Sequence, residues 1–300
     1  MNSTVTELET GKQGRGRAAA LGTLYLCATP IGNLGDITAR VLQTLAGVDL
    51  IAAEDTRNTR KLLTHFDIHT PLTSYHEHNR TEKAQELIAR LKDGADIALV
   101  TDAGTPAISD PGEVLVDLCH EAAIPVTSLP GPCALVTALS LSGLSCRRFV
   151  FEGFLPGRED KKLRRRILDA LRDEPRTVIL YEAPHHLRAL LDDLVAALGG
   201  ERRLALCREL TKRFEEVQRT TLAEAAAYYE TAEPRGEYVL VIEALGFEAL
   251  AERDRADWQE MSIAEHVAYY ESQGLDRKEA MKRAAADRGI PKREVYKALL

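Results

Sequence analysis

The chain has 300 residues, 45% hydrophobic and 28% charged, enough apolar side chain to bury the cores of about two domains under a polar surface. That composition excludes a disordered tail, a collagenous repeat and a disulfide-stapled miniprotein. Lysine and arginine number 39 against 46 aspartates and glutamates, so the formal net charge of −7 repels nucleic acid globally and leaves any such binding to local basic patches.

Cys27, Cys119, Cys133, Cys146 and Cys207 are scattered with no C-x-x-C pair. That spacing suits neither a disulfide framework nor a zinc site, and three of the five sit in apolar runs, as reduced core thiols do. No metal is expected. No apolar stretch approaches the roughly 18 residues of a membrane span. Residues 1–22 are polar, glycine-rich and basic without the apolar segment of a secretion signal, and read as a disordered leader of a cytoplasmic protein.

The ordered chain is expected to open with a strand at 23–28, then a turn-rich loop at 29–35 and a helix capped by Asp36, along which Ile37, Val41, Leu42 and Leu45 recur at helical spacing. A strand at 48–53, helices near 56–66 and 80–93, and a strand at 97–101 continue the rhythm. A helix at 112–122, a strand at 125–129 and a helix from Pro132 to Leu141 complete a first α/β domain over 23–140. Strands alternating with helices predict a largely parallel, doubly covered sheet with ligand loops at the strand C-terminal ends. Ser140 to Cys146 reads as a hinge into a second α/β domain over 147–246. Its strands are expected near 149–154, 177–181, 203–208 and 238–243, and its helices near 160–172, 185–198 and 222–229.

The last segment, 255–300, differs in kind. Ser262 caps a helix that Gly274 ends, Asp276 starts a second, and Gly289-Ile290-Pro291 separates it from a third at 292–299. These spacings predict a small helix-turn-helix-like appendage. Residues 251–276 carry 2 basic and 7 acidic groups, whereas 277–300 carry 8 basic and 3 acidic ones. A solvated mixed-charge face accounts for this, and so does a nucleic-acid-facing helix pair bearing Lys282, Arg283, Lys292 and Arg293.

Four loops fall where a doubly wound sheet presents ligands. In TPIGNLGDIT (29–38), Pro30 and Gly32 let backbone approach a ligand, but the G-x-G-x-x-G phosphate fingerprint is absent. TDAGTPAISDPG (101–112) concentrates Gly, Pro, Asp, Thr and Ser after an apolar strand, a density that builds a rigid concave backbone for a polar small molecule. LPGPCAL (129–135) opens a helix with Pro and Gly, and in ILYEAPHHLRALLDDL (179–194) Tyr181, Glu182 and Pro184 follow a strand. His185 and His186 lack an acidic ligand at helical spacing and read as surface residues of a helix start. Among charged stretches, AEDTRNTRK (53–61) brings Glu54, Asp55, Arg57 and Arg60, and YHEHNR (75–80) brings His76. Five bases fall in six residues at 161–166, among them Lys161, Arg164, Arg165 and Arg166. Such a run is a solvated helix face or a phosphate-contact patch. CRELTKRFEEVQRTT (207–221) reads either as an internal salt-bridge network or, through Arg213, as a further RNA contact.

The motifs ATPIGNLGDIT, AEDTRNTRKLL, SYHEHNR, LVTDAGTPAISDPG, PGPCALVTALSLSG, FEGFLP, YEAPHHL, CRELTKRFEEV and GEYVLVIE stand in this order along 23–300. In this the chain resembles the tetrapyrrole (corrin/porphyrin) methylase family, and within it the branch that methylates the ribose 2′-hydroxyl of a cytidine in the decoding region of 16S ribosomal RNA. The resemblance implies two α/β domains with an S-adenosylmethionine site in the cleft between them, a homodimer, and a small ribosomal subunit or its 16S RNA as partner. It places the cofactor against Pro30, Gly32, Asp102, Gly104, Thr105, Pro106, Ile108, Ser109, Pro130, Gly131 and Pro132, and against Tyr181, Glu182 and Pro184. Tetrapyrrole-methylating relatives carry a G-G-D-P-like loop where this chain has Ala103-Gly104-Thr105-Pro106, so Thr105 replaces the acid. Glu54, Asp55, His76 and Glu182 are the candidates for a base that removes the ribose hydroxyl proton. Arg57, Arg60 and the run at 161–166 would hold the RNA backbone. Two other readings stay open: a tetrapyrrole methylase of the same fold, and a non-enzymatic RNA-binding protein whose Glu54 mimics the ribose-binding acid of a nucleotide fold.

Overall fold

Apolar strands flanked by helices must cover both sheet faces, and side-chain alternation divides the first sheet's residues between two cores. The structure, a computed structural model, describes residues 20–300, the side chains at 158, 251, 253–257 and 259 excepted. Most of the expected leader, 1–19, lies outside these residues. Gly22 at its end belongs to the fold: it is buried, its N–H donates to Leu91 O at 2.7 Å, and a Cβ there would meet Ala95 O.

The chain divides into two compact units, at Ala134/Leu135. The first holds β1 (Leu24–Cys27), α1 (Ala39–Gly47), β2 (Leu50–Ala53), α2 (Thr56–His65), β3 (Leu72–Ser74), α3 (Arg80–Lys92), β4 (Ile97–Val100), α4 (Glu113–Glu121) and β5 (Val126–Leu129). Its sheet is parallel throughout, in the order β3-β2-β4-β1-β5. Leu24, Leu50, Ala52, Ile97 and Leu99 face α3 and α4 on one side. Cys27, Ile51, Ala53, Ala98 and Val100 face α1 and α2 on the other. The chain leaves β1 for α1 on one face and leaves the neighbouring β4 for α4 on the other, so the two connections part to opposite faces between β4 and β1. At that switch point a doubly wound sheet opens a crevice.

Thr38, not Asp36, caps α1: its hydroxyl accepts from Val41 N at 3.2 Å, while Asp36 sits in a short 3₁₀ turn ahead of it. β3 went unforeseen, three residues of edge strand paired with β2.

The second unit begins with α5 (Ala134–Ser142), so the segment read as a hinge starts within this helix. It continues through β6 (Phe149–Gly153), α6 (Lys161–Arg172), β7 (Thr177–Glu182), α7 (Pro184–Leu198), β8 (Arg203–Arg208), β9 (Glu216–Thr221), α8 (Leu222–Thr231) and β10 (Tyr238–Ile242). The sheet order is β6-β7-β10-β8-β9, with β6 parallel to β7 and the other pairs antiparallel. Leu180, Leu204, Leu206 and Leu240 meet α6, α7 and α8 in one core. On the opposite face the Cys207 thiol reaches Ala138 O of α5 at 4.0 Å.

The chain ends in α9 (Phe247–Glu260), α10 (Ile263–Ser272), α11 (Arg277–Asp287) and α12 (Lys292–Ala298). Ser262 forms a reciprocal capping box with Glu265, and Asp276 caps α11. Val267, Met281, Ala284 and Val295 form a separate small core. The unforeseen α9 contributes Trp258, stacked on His266 at 4.9 Å. His266 is fully buried, stacks on Tyr270 as well, and accepts from Arg288 Nε through Nδ1 at 3.0 Å. No described helix is long and apolar enough to cross a membrane.

Candidate active site

Three loops of the first unit are bound together at its switch point. Thr29 and Gly104 exchange both backbone hydrogen bonds, at 2.9 and 3.0 Å, and the Thr29 hydroxyl donates to Thr101 O at 3.1 Å. The Thr105 hydroxyl donates to Pro132 O at 3.2 Å and so ties the second loop to the third. Gly131 lies so close to the end of β1 that a Cβ would come 2.8 Å from Ala28 Cβ. Gly104 takes φ +85°, which a side chain resists, while Ala107 and Ser109 adopt φ of 69° and 61° despite carrying one. Pro106 is buried and Ile108 and Ser109 are exposed. Strained non-glycine backbone held by neighbouring loops is the mark of a shaped site.

A groove of about 360 Å3 runs beside these loops, lined by Thr29, Pro30, Gly32, Thr101 and Asp102 and on its far side by Asn58, Lys61 and His65 of α2. Asp102 is fixed twice: its carboxylate accepts from Asn58 Nδ2 at 3.0 Å and its N–H donates to Glu54 Oε2 at 3.2 Å. Burial pushes the Asp110 carboxyl up to about 7, the charges of Glu54 and Asp102 adding to the effect and the Thr101 hydroxyl opposing it. Sequence reasoning passed over Asp110, Asn58, Lys61 and His65. Asp110 stood inside the densest loop, and the other three share a helix face with Arg57 and Arg60.

The base candidates separate by environment. Asp55 caps α2 and pairs with Arg57, Nη2 to Oδ2 at 2.7 Å; this hydrogen bonding holds its carboxyl down to about 2, a poor acceptor for a ribose proton. Glu54 touches the Asp102 backbone. His76 has a buried Nδ1 without a hydrogen-bond partner and a ring 6.0 Å from that of His78. Glu182, in the second unit, is buried; burial raises its pKa against the pull of the Ala183 N–H and of His186 and Arg164.

In that unit the Tyr181 hydroxyl accepts from Leu135 N at 3.0 Å, and its ring meets Phe151 and Phe154 edge-on at 4.9 and 5.6 Å. Pro184 opens α7, where His185 and His186 are exposed. Of the basic run, Lys161, Arg165 and Arg166 lie outward along α6. Arg164 turns inward instead, its guanidinium bound to Asp193 Oδ2 at 2.8 Å and to Pro156 O at 2.9 Å, so it holds α6 to α7. Lys161, Arg165 and Arg172 border a groove of about 530 Å3. Lys282, Arg283, Lys292 and Arg293 are all exposed. Cys27, Cys119 and Cys207 are buried thiols pushed up to about 12, 11 and 11 by burial.

Comparison with known proteins agrees with the architecture. The profile described as Tetrapyrrole (Corrin/Porphyrin) Methylases matches residues 23–226. The chain is 50% identical over 280 residues to a protein of Synechocystis sp. named ribosomal RNA small subunit methyltransferase I, covering 93% of this chain and 98% of that one. It is 46% identical over 291 residues to the protein of the same name from Escherichia coli O157:H7, covering 96% and 98%. Among solved structures, the cobalamin biosynthetic enzyme cobalt precorrin-4 methyltransferase superposes with a TM-score of 0.55 at 18% identity, over 80% of this chain and 99% of that one. The chain therefore belongs to the tetrapyrrole (corrin/porphyrin) methylase family.

Proposed function

We propose that this methyltransferase moves the methyl group of S-adenosylmethionine to the ribose 2′-hydroxyl of a cytidine in the decoding region of 16S ribosomal RNA, acting in the cytoplasm as a homodimer. The observation that carries the reading is the bound trio of loops at the switch point, edged by the carboxylates of Glu54 and Asp102. S-adenosylmethionine is a sulfonium cation that also bears an ammonium, so negative potential beside a rigid polar crevice suits it. When bound it supplies the methyl group for an in-line displacement by oxygen.

The chain's own residues then have distinct tasks. The backbone of 101–106 and 129–132 fixes the donor's position, and positioning carries much of the rate of such a displacement. Glu54 is the base candidate whose carboxylate touches a crevice loop of its own unit. Arg57, Arg60 and Lys61 on α2, Lys161, Arg165 and Arg166 on α6, and the cations of α11 and α12 supply local positive patches on an acidic chain. The relatives' names favour ribosomal RNA over the tetrapyrroles that other members of the fold methylate. Incubation with labelled S-adenosylmethionine and small ribosomal subunits lacking the modification tests the proposal; label in the RNA supports it, and its absence with cofactor bound refutes it.

A further inference from the structure

We infer that the tip of the β8–β9 hairpin, Arg213 with Phe214, is a stacking contact for an unpaired RNA base. The inference rests on the RNA reading above and deepens it. Residues 209–215 do far more than reverse the chain. Glu209 and Thr211 both take positive φ, 50° and 66°, where a simple hairpin would place glycine or asparagine. Lys212 Nζ holds this shape by donating to Glu209 Oε1 at 2.8 Å and to Glu237 Oε2 at 2.7 Å. Thr211 N donates to Glu215 Oε2 at 2.6 Å, and Arg208 pairs with Glu216 at 2.9 Å. Gly236 lies against the Glu209 side chain so tightly that a Cβ would meet its Cγ at 2.4 Å.

Lys212 and Arg208 are thus paired with carboxylates, and the Glu215 carboxylate is bound to a backbone N–H. Arg213 has no carboxylate partner among the described residues; its guanidinium lies over the Phe214 ring at 5.6 Å. Phe214 is 66% exposed, the most open Phe, Tyr or Trp ring among the described residues. A strained loop held by its own side chains thus presents one aromatic face together with a cation that no described carboxylate pairs. Every base has a π-face to stack and a phosphate beside it, and a ring with an arginine answers both. A duplex buries its base faces, so the tip discriminates for unpaired nucleotides.

The test uses the full-length protein, with Phe214→Ala, Phe214→Trp and Arg213→Ala variants. Fluorescence anisotropy measures binding to a labelled RNA hairpin with an unpaired loop and to a fully paired duplex of equal length, with melting and sedimentation as controls. Phe214→Ala is expected to lose about ten-fold affinity for the loop RNA, within the range of base–aromatic stacking, and none for the duplex. Melting and mass stay unchanged, and Phe214→Trp retains wild-type binding. Arg213→Ala weakens both RNAs and flattens the salt dependence. Wild-type loop affinity in Phe214→Ala, or equal wild-type affinity for loop and duplex, overturns the inference. A change of sedimenting mass does so too, assigning the ring to a second copy of the chain. Wild-type protein that shows the loop preference yet transfers no methyl group would defeat the methyltransferase reading and leave the stacking tip standing.

Discussion

Thr29 and Gly104 form a two-rung ladder outside the sheet, each donating its N–H to the other's carbonyl. The loops after β1 and β4 are thereby fixed to each other where the connections diverge, and the Thr105–Pro132 bond extends the clamp to the loop after β5. On the proposed function, rigidity of this crevice, more than any one side chain, would position the methyl donor.

Closure of the third loop depends on a missing side chain. Gly131→Ala brings a Cβ within 2.8 Å of Ala28 Cβ, which sits at a strand end and yields little. The variant is expected to lose ~1–3 kcal/mol of stability by overpacking. S-adenosylmethionine affinity, read by calorimetry, falls by about ten-fold or more, the equivalent of ~1.4 kcal/mol. Unchanged affinity would detach this loop from the cofactor.

Asp110 makes the first unit lose stability as pH rises toward neutrality. Its folded-state pKa, raised from 3.8 to about 7, exceeds the unfolded value, so its contribution is fully present below pH 3.8 and is lost as pH rises through about 7. Asp110→Asn removes that penalty. Thermal melting should therefore show the variant gaining on the wild type as pH rises from about 4 to about 7, with a constant advantage above that and none below pH 3.8.

The terminal helices respond in the opposite sense. Burial, aided by Arg288, lowers the pKa of His266 below its ordinary 6.5 even though Asp287 lies 3.6 Å from Nε2. Stability is therefore full above 6.5 and is lost as pH falls through the lowered value. Trp258, the chain's single tryptophan, stacks on this imidazole and reports it. Its fluorescence should change on acidification with a midpoint below 6.5, and His266→Gln should abolish that transition.

Two neighbouring arginines separate scaffold from surface. Arg164→Ala leaves Asp193 and Pro156 O without their donor and should cost ~1–3 kcal/mol in denaturant unfolding. Arg165→Ala, 85% exposed, should change stability by less than ~0.5 kcal/mol. It should instead weaken RNA binding and reduce the salt slope by about one.

The same pair marks how far the sequence could be read. A run of lysine and arginine looks uniformly solvated, yet 164 shares helical spacing with the buried Leu168 and Leu171, and that periodicity is the signal that places Arg164 inward. The strands of both sheets and the helices that cover them announced themselves by apolar runs. β3 did not, because three half-buried residues carry no pattern, and β9, EVQRTT, hides as an edge strand of polar residues. α9 lacks an apolar stripe. At the site, the glycines and prolines of 101–112 and 129–132 were legible because backbone shape is written in those residue types. The Asp110 environment was not, since it depends on burial and on Glu54 arriving from the end of β2.

The most direct test of the central claim is an alkaline hydrolysis ladder of 16S RNA from small subunits treated with the protein and S-adenosylmethionine. Alkali cleaves RNA through the 2′-hydroxyl, so a methyl group on that oxygen leaves one resistant step. The account predicts a single new gap, at a cytidine in the decoding region, that is absent without the cofactor. Incorporated methyl label with an unbroken ladder would put the group on a base and contradict ribose methylation.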